Sequence, residues 1–186
     1  MNMETYRAKN RRPQAGVTLL EVAVAILVLT IGVTAVAAVF VRGLGLMGSS
    51  QDSFIAKEKA EEAVESVFAG RDDQNVTWTQ ILNVQGASGT DGGIFLDGPQ
   101  PIKDPGPDGL VNTADDGALE YIVLPGPDGV YGTADDVQVP LTKFQREIKI
   151  RPIAGNLNLR TLTVTITYTA TGTVIYQIQT YISAFV

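Results

Sequence analysis

The side chains best suited to chemistry lie in two short acidic segments. Residues 105–116 read PGPDGLVNTADD and residues 125–136 read PGPDGVYGTADD, identical at nine of twelve positions and twenty residues apart. Each copy places a turn-forming Asp-Gly pair ahead of two adjacent aspartates, so three carboxylates fall on one tight loop. Carboxylates gathered this way repel one another unless a hard cation takes their oxygens, and Ca²⁺ accepts about six to eight oxygen ligands. Asp108, Asp115 and Asp116 are one expected metal set, and Asp128, Asp135 and Asp136 are the other. The same residues also suit plain solvated turns, in which Pro-Asp-Gly makes the bend and Asp-Asp caps it. An EF-hand does not fit, because Gly106 stands where a second Asp or Asn is required and Leu124 takes the first ligand position of the second copy.

Other chemistries are closed off by composition. The 186 residues contain no His and no Cys, which removes an imidazole base, a thiolate nucleophile, a thiolate zinc site and any disulfide. Adjacent aspartates on one loop lack the opposed geometry that hydrolysis needs, and no nucleophile and base stand together, so the chain is not expected to be an enzyme. The formal charge is −6, but Arg7, Lys9, Arg11 and Arg12 against Glu4 make the first sixteen residues basic and leave the remainder at −9. An acidic body repels phosphate backbones, so no nucleic-acid partner is expected.

Residues 22–41, VAVAILVLTIGVTAVAAVFV, carry no charge over twenty positions, the span of a bilayer's hydrocarbon core. The basic cluster before this run and the lone Arg42 after it hold the amino terminus in the cytoplasm and send the rest of the chain across the membrane. A secretory signal peptide is the plainer reading, but the apolar run is longer than an h-region and no small-x-small cleavage site follows it. Glu21 stands at the head of the run, where a carboxylate is costly without a partner cation. A single-pass anchor whose glutamate snorkels to the cytoplasmic interface is the simplest account of that residue.

A basic leader, then Gly16-Val17-Thr18-Leu19-Leu20-Glu21, then a long apolar helix resembles the class III signal of type IV pilins and of type II secretion pseudopilins. The resemblance implies that a prepilin peptidase cuts after Gly16 and that the new amino-terminal residue, Val17, is N-methylated. It implies that Glu21 meets the amino group of a neighbouring subunit, a counter-charge that exists only after cleavage and assembly. The acidic loops resemble the calcium loop of the major pseudopilin in their Asp-Gly-x5-Asp-Asp spacing, and that family's three side-chain ligands fall on the aspartates named above. Val17 in place of the commoner Phe and a sixteen-residue leader depart from the usual pattern. The implied role is a structural subunit, most similar to minor pilins or minor pseudopilins, with other subunits and inner-membrane assembly machinery as partners. The subunit waits in the inner membrane with its head outside the cytoplasm, then enters a pilus or a periplasmic pseudopilus. The competing role is a membrane-anchored, calcium-dependent binding module that never enters a filament.

The rest of the chain is read as the frame for these features, one domain by length. Apolar Ala56, Ala60, Ala63, Val64, Val67 and Phe68 repeat at helical spacing, so a helix is predicted over 17–69, roughly 80 Å long, stopping at Gly70. Gly43, Gly45 and Gly48 weaken it past the membrane, where it is expected to bend or merely to be less stable. Alternation in 144–153, 162–168 and 174–182 predicts three antiparallel strands packed on that helix, giving an α+β fold. Lys143, Arg146, Lys149, Arg151 and Arg160 make this end locally basic and are read as a solvated or edge-protecting strand face rather than a nucleic-acid site. The organisation is thus a leader at 1–16, a helix at 17–69 and a head at 70–186, with acidic loops at 104–116 and 124–137 and a sheet over 142–186.

Overall fold

The structure, a computed structural model, describes residues 16–85, 92–170 and 172–185. The basic leader up to residue 15 lies outside the described residues, whereas Gly16 and Val17 are described. The first helix, α1 (Leu19–Asp72), is 54 residues long. Its start is set locally by Thr18, whose hydroxyl accepts the Glu21 backbone N–H at 3.3 Å. Thr18-Leu19-Leu20-Glu21 is the Ser/Thr-x-x-Glu pattern of a helix amino terminus, so Glu21 sits where its charge also suits the helix dipole. The chain divides into two compact units, 1–47 and 48–186.

In the first unit the helix is apolar on every side and its large side chains are exposed. The Thr30 and Thr34 hydroxyls donate to the Ile26 and Thr30 carbonyls at 2.6 and 2.9 Å, so even its polar atoms are satisfied within the helix. Residues 43–48, with their three glycines, are helical.

In the second unit α1 turns amphipathic. Ile55, Ala56, Ala60, Ala63 and Val67 are buried, a stripe at helical spacing whose small residues let the helix lie close to a sheet. The helix passes through Gly70 rather than stopping there. A Cβ at Gly70 would lie 2.7 Å from Leu110 Cδ2, so this glycine answers to packing; the left-handed residue that follows the helix is Gln74 at φ 57°.

The main sheet has β1 (Gln100–Pro101), β4 (Phe144–Ile153), β5 (Asn156–Thr169) and β6 (Thr173–Ser183) in the order β1-β4-β5-β6, all antiparallel. The three predicted strands are therefore β4, β5 and β6. A separate two-stranded ribbon, β2 (Tyr121–Leu124) with β3 (Val137–Pro140), frames the second acidic loop and was not anticipated. Register fixes the faces of the sheet: Ile148 opposes Val164, which opposes Ile178, and Phe144 opposes Tyr168 with rings 5.2 Å apart. These side chains face α1, while Thr161, Thr163, Thr165 and Thr167 line the other face.

The reading of Arg146 and Arg160 as solvated is corrected. Arg146 is 0% exposed and Arg160 is buried as well. Residue 146 shares the inward parity of Phe144 and Ile148, so its stem enters the core whatever its charge. Arg160 stacks on Trp78 at 3.9 Å and donates to the Ile81 carbonyl at 2.7 Å, partners that repay its burial.

Candidate assembly helix and acidic loops

Gly16, Val17 and Glu21 are all exposed, the first two ahead of α1 and the third in its first turn. Among the described residues no cation pairs with Glu21. The apolar helix that follows is long and apolar enough to cross a membrane, and none of its most apolar stretch is buried.

The sequence repeat is also a repeat of structure. In the first loop Asp108 accepts the Leu110 N–H at 2.8 Å; in the second Asp128 accepts the Val130 N–H at the same distance. Gly109 and Gly129 follow at φ 73° and 70°, left-handed positions that favour glycine. Asp116 takes the Asn112 N–H at 2.9 Å, as Asp136 takes the Gly132 N–H at 2.7 Å. The Thr113 hydroxyl donates to Asp115 at 2.7 Å and the Thr133 hydroxyl to Asp135 at 2.6 Å. That hydrogen bond holds the Asp135 carboxyl below the usual carboxylate range. Gly106 and Gly126 lie so close to the Asp115 and Asp135 carboxyls that an added Cβ would collide with them.

The aspartates thus serve as acceptors for their own loops. Among the described residues no three carboxylates converge as a ready ligand set. In donor chemistry the loops still fit a hard cation, since each offers three carboxylates and only oxygen donors, with the glycine drawing backbone against one of them.

The two loops differ in their surroundings. Leu110 and Val111 are each 1% exposed and belong to the core, whereas Val130 and Tyr131, at the same positions of the second copy, are 54% and 66% exposed. The eighth position explains how the first loop is held. Both Asn112 and Gly132 have positive φ, 62° and 84°. Glycine adopts that conformation freely; asparagine adopts it at a cost and gains a reciprocal pair, donating to the Arg146 carbonyl at 2.9 Å and accepting from Arg146 Nε at 2.7 Å.

Arg146 joins this loop to α1. Its Nη1 lies 3.8 Å from Glu62, and both terminal nitrogens lack hydrogen-bond partners. Burial pushes its pKa down, against the pull of Glu62, Asp116 and Glu120. Lys59, buried on α1, pairs with Glu62 at 2.6 Å and with Glu120. Its burial works against the charge, but the two carboxylates outweigh it and the pKa is raised. The sequence reading does not anticipate this network, although the Asn-for-Gly exchange, one of three between the two copies, is a usable signal.

Residues 11–37 match a known family, the prokaryotic N-terminal methylation motif. No curated protein and no solved structure is significantly similar to the chain.

Proposed function

We propose that the chain is a structural subunit of a type IV pilus or type II secretion filament, a minor pilin or pseudopilin processed by prepilin peptidase and assembled through its amino-terminal helix. The observation that carries this reading is the methylation-motif match at 11–37, which runs directly into a helix whose apolar side chains are exposed all round. Cleavage after Gly16 frees the amino group of Val17. Glu21, without a cation partner among the described residues, is then the acceptor for that ammonium in a neighbouring copy, and the pair sets the register between subunits. The motif itself marks a type IV pilin-like or pseudopilin precursor. The choice of filament and the minor rank belong to the proposal.

The test is intact mass and amino-terminal sequencing of the chain recovered from membranes, with and without coexpressed prepilin peptidase. A mature chain beginning at methylated Val17 supports the proposal. An uncut chain in the presence of active peptidase overturns it. Glu21→Gln is expected to be cut normally and to be lost from sheared filaments.

The head is proposed to bind calcium, with Asp108, Asp115 and Asp116 holding one ion and Asp128, Asp135 and Asp136 a second. A bound ion would cancel the repulsion within each loop and pin it where no disulfide can. Thermal unfolding of the full chain with calcium or chelator tests this: a rise in Tm with calcium that Asp116→Asn diminishes supports it, and an unchanged Tm overturns it.

A further inference from the structure

The main sheet closes one edge and leaves the other open. On the β4 side, β1 pairs at Gln100 and Pro101. Around and beyond it the Asn112 amide donates to the Arg146 carbonyl, and the Asn83 amide meets the Ile148 carbonyl and the Ile150 N–H. The other edge is β6, eleven residues long, with no strand beyond it among the described residues.

Which backbone groups β6 leaves open follows from the alternation of antiparallel pairing. The Ala170 N–H donates to the Gly172 carbonyl at the hairpin, and the Ala184 N–H to the Asn158 carbonyl at the far end. Even-numbered residues of β6 therefore bond β5. The Ser183 carbonyl turns outward, where Arg71 donates to it at 3.3 Å. Thr173, Ile175, Gln177, Gln179 and Tyr181 share its parity, so each turns an N–H and a C=O outward, with no partner among the described residues. Sheets guard such an edge with lysine, proline, a bulge or a covering loop. Residues 173–183 read TVIYQIQTYIS, without charge or proline, and their pairing with β5 shows no bulge.

Beside this edge α1 forms a wall. Val64, Phe68 and Ile178 line a groove of about 410 Å³ together with Glu61 and Glu65. Both glutamates are exposed. Glu61 has a weak surface pair with Lys57 at 3.7 Å, and among the described residues Glu65 has no ion pair. The helix runs along the strands: Ser53 bonds the Tyr168 hydroxyl, and Arg71 reaches Ser183, the pairing partner of Leu159. From Ser53 to Arg71 the helix rises about 27 Å, and from Tyr168 to Leu159 the strand covers about 30 Å. The turn from Glu61 to Glu65 thus advances about 6 Å along the sheet, close to the roughly 6.6 Å between alternate side chains of a strand.

We infer that β6 receives an extended segment of another protein as a fifth strand, with lysine or arginine at two alternate positions meeting Glu61 and Glu65 and an apolar residue beside Phe68. The row of outward N–H and C=O groups calls for a strand, because another extended backbone meets such groups in line. The acidic rim selects a basic strand, whose aliphatic stems cover Val64 and Ile178. A second copy fits poorly. Pairing β6 with β6 across a twofold axis keeps both helices on one face and sets the same glutamates of the two copies toward each other. Only residues of the unit 48–186 take part, so neither filament assembly nor calcium is required.

The test uses the full chain in detergent micelles, labelled with nitrogen-15 and titrated with a synthetic peptide in which threonine alternates with two lysines and then two valines. The expected result is saturable binding with slowed amide exchange at Ile175, Gln177, Gln179 and Tyr181. The same peptide with every amide N-methylated, and one with glutamate for lysine, are expected not to bind. Gln177→Pro removes an outward N–H and no bond to β5, so it is expected to keep its Tm and lose binding. Glu65→Gln, on the helix, is expected to weaken binding several-fold and to reduce its salt dependence. Absence of binding, equal binding of the N-methylated peptide, or binding that leaves those four amides unprotected overturns the inference. Protection of the same amides without peptide, rising with protein concentration, assigns the edge to a second copy and overturns it as well.

Discussion

Asn112→Gly gives the first acidic loop the residue that its twin carries, and the cost follows from two hydrogen bonds. Asparagine donates to the Arg146 carbonyl and accepts from Arg146 Nε. The first is a neutral bond worth about 1 kcal/mol, and the second, to a charged group, is worth about 1.5–3 kcal/mol. Against them stands relief of a positive φ in a non-glycine residue, about 1 kcal/mol. The wider freedom of glycine in the unfolded chain returns much of that relief to the unfolded side. Arg146, whose two terminal nitrogens already lack hydrogen-bond partners, loses the bond at its third nitrogen while still buried. The net expectation is a loss of about 2 kcal/mol, which for a chain of this size is a Tm lower by about 4–8 °C. Unfolding of the detergent-solubilised chain, followed through Trp78, the single tryptophan, measures it. Gly132→Asn, the reverse exchange in the second loop, lacks an arginine beneath it and is expected to yield no gain. An Asn112→Gly chain as stable as the parent would refute the argument, since strain would then have cancelled the latch.

Three further outcomes follow from other contacts. Asn83→Ala is expected to cost about 3 kcal/mol in denaturant unfolding at unchanged m, because its amide bonds the Ile148 carbonyl and the Ile150 N–H at 2.8 Å each along the edge of β4 where β1 has ended, and would leave both unpaired. Thr113→Val is expected to lower stability by about 1–2 kcal/mol, whereas Thr133→Val, in the exposed loop, changes it by a few tenths, both read from the same unfolding curves. The folded pKa of Lys59 lies above its ordinary 10.5, so its contribution to stability is fully present below that pH and is lost as pH rises through the folded value. Stability measured across alkaline pH should fall in the parent and flatten in Lys59→Met.

How much of this could be read beforehand depended on whether a signal was local. The apolar run at 22–41 and the alternation over 144–182 are periodic, and α1, β4, β5 and β6 stand where they were expected. The Asp-Gly turns were legible because the chemistry of an Asp-Gly bend lies within four residues. The fate of charge was not. Arg146 was assigned to water by residue type, yet the parity of β4 carried it inward, and only its meeting with Asn112, 34 residues earlier, makes that position tolerable. The ribbon of β2 and β3 escaped notice because four-residue strands flanking a long loop have too few alternations to stand out. Gly70 looked like a helix stop because a glycine that admits Leu110 and one that ends a helix are the same letter.

The paired loops separate two demands that one motif usually meets together. Asp-Gly, Thr and Asp-Asp, common to both copies, suffice to close the turn, since the same three contacts recur at nearly equal distances in each. Closure is therefore independent of burial. What differs is confined to three consecutive positions, Leu-Val-Asn against Val-Tyr-Gly. The first triplet has two aliphatic residues to fill a core and one amide to clasp a buried guanidinium; the second has an aromatic hydroxyl that tolerates water and a glycine that needs no clasp. A chain carrying Leu-Val-Asn in both loops would keep both turns but leave the second with an exposed leucine and an asparagine in strained backbone, with no arginine to repay it. The triplet, rather than the carboxylates, decides which copy becomes architecture and which becomes surface.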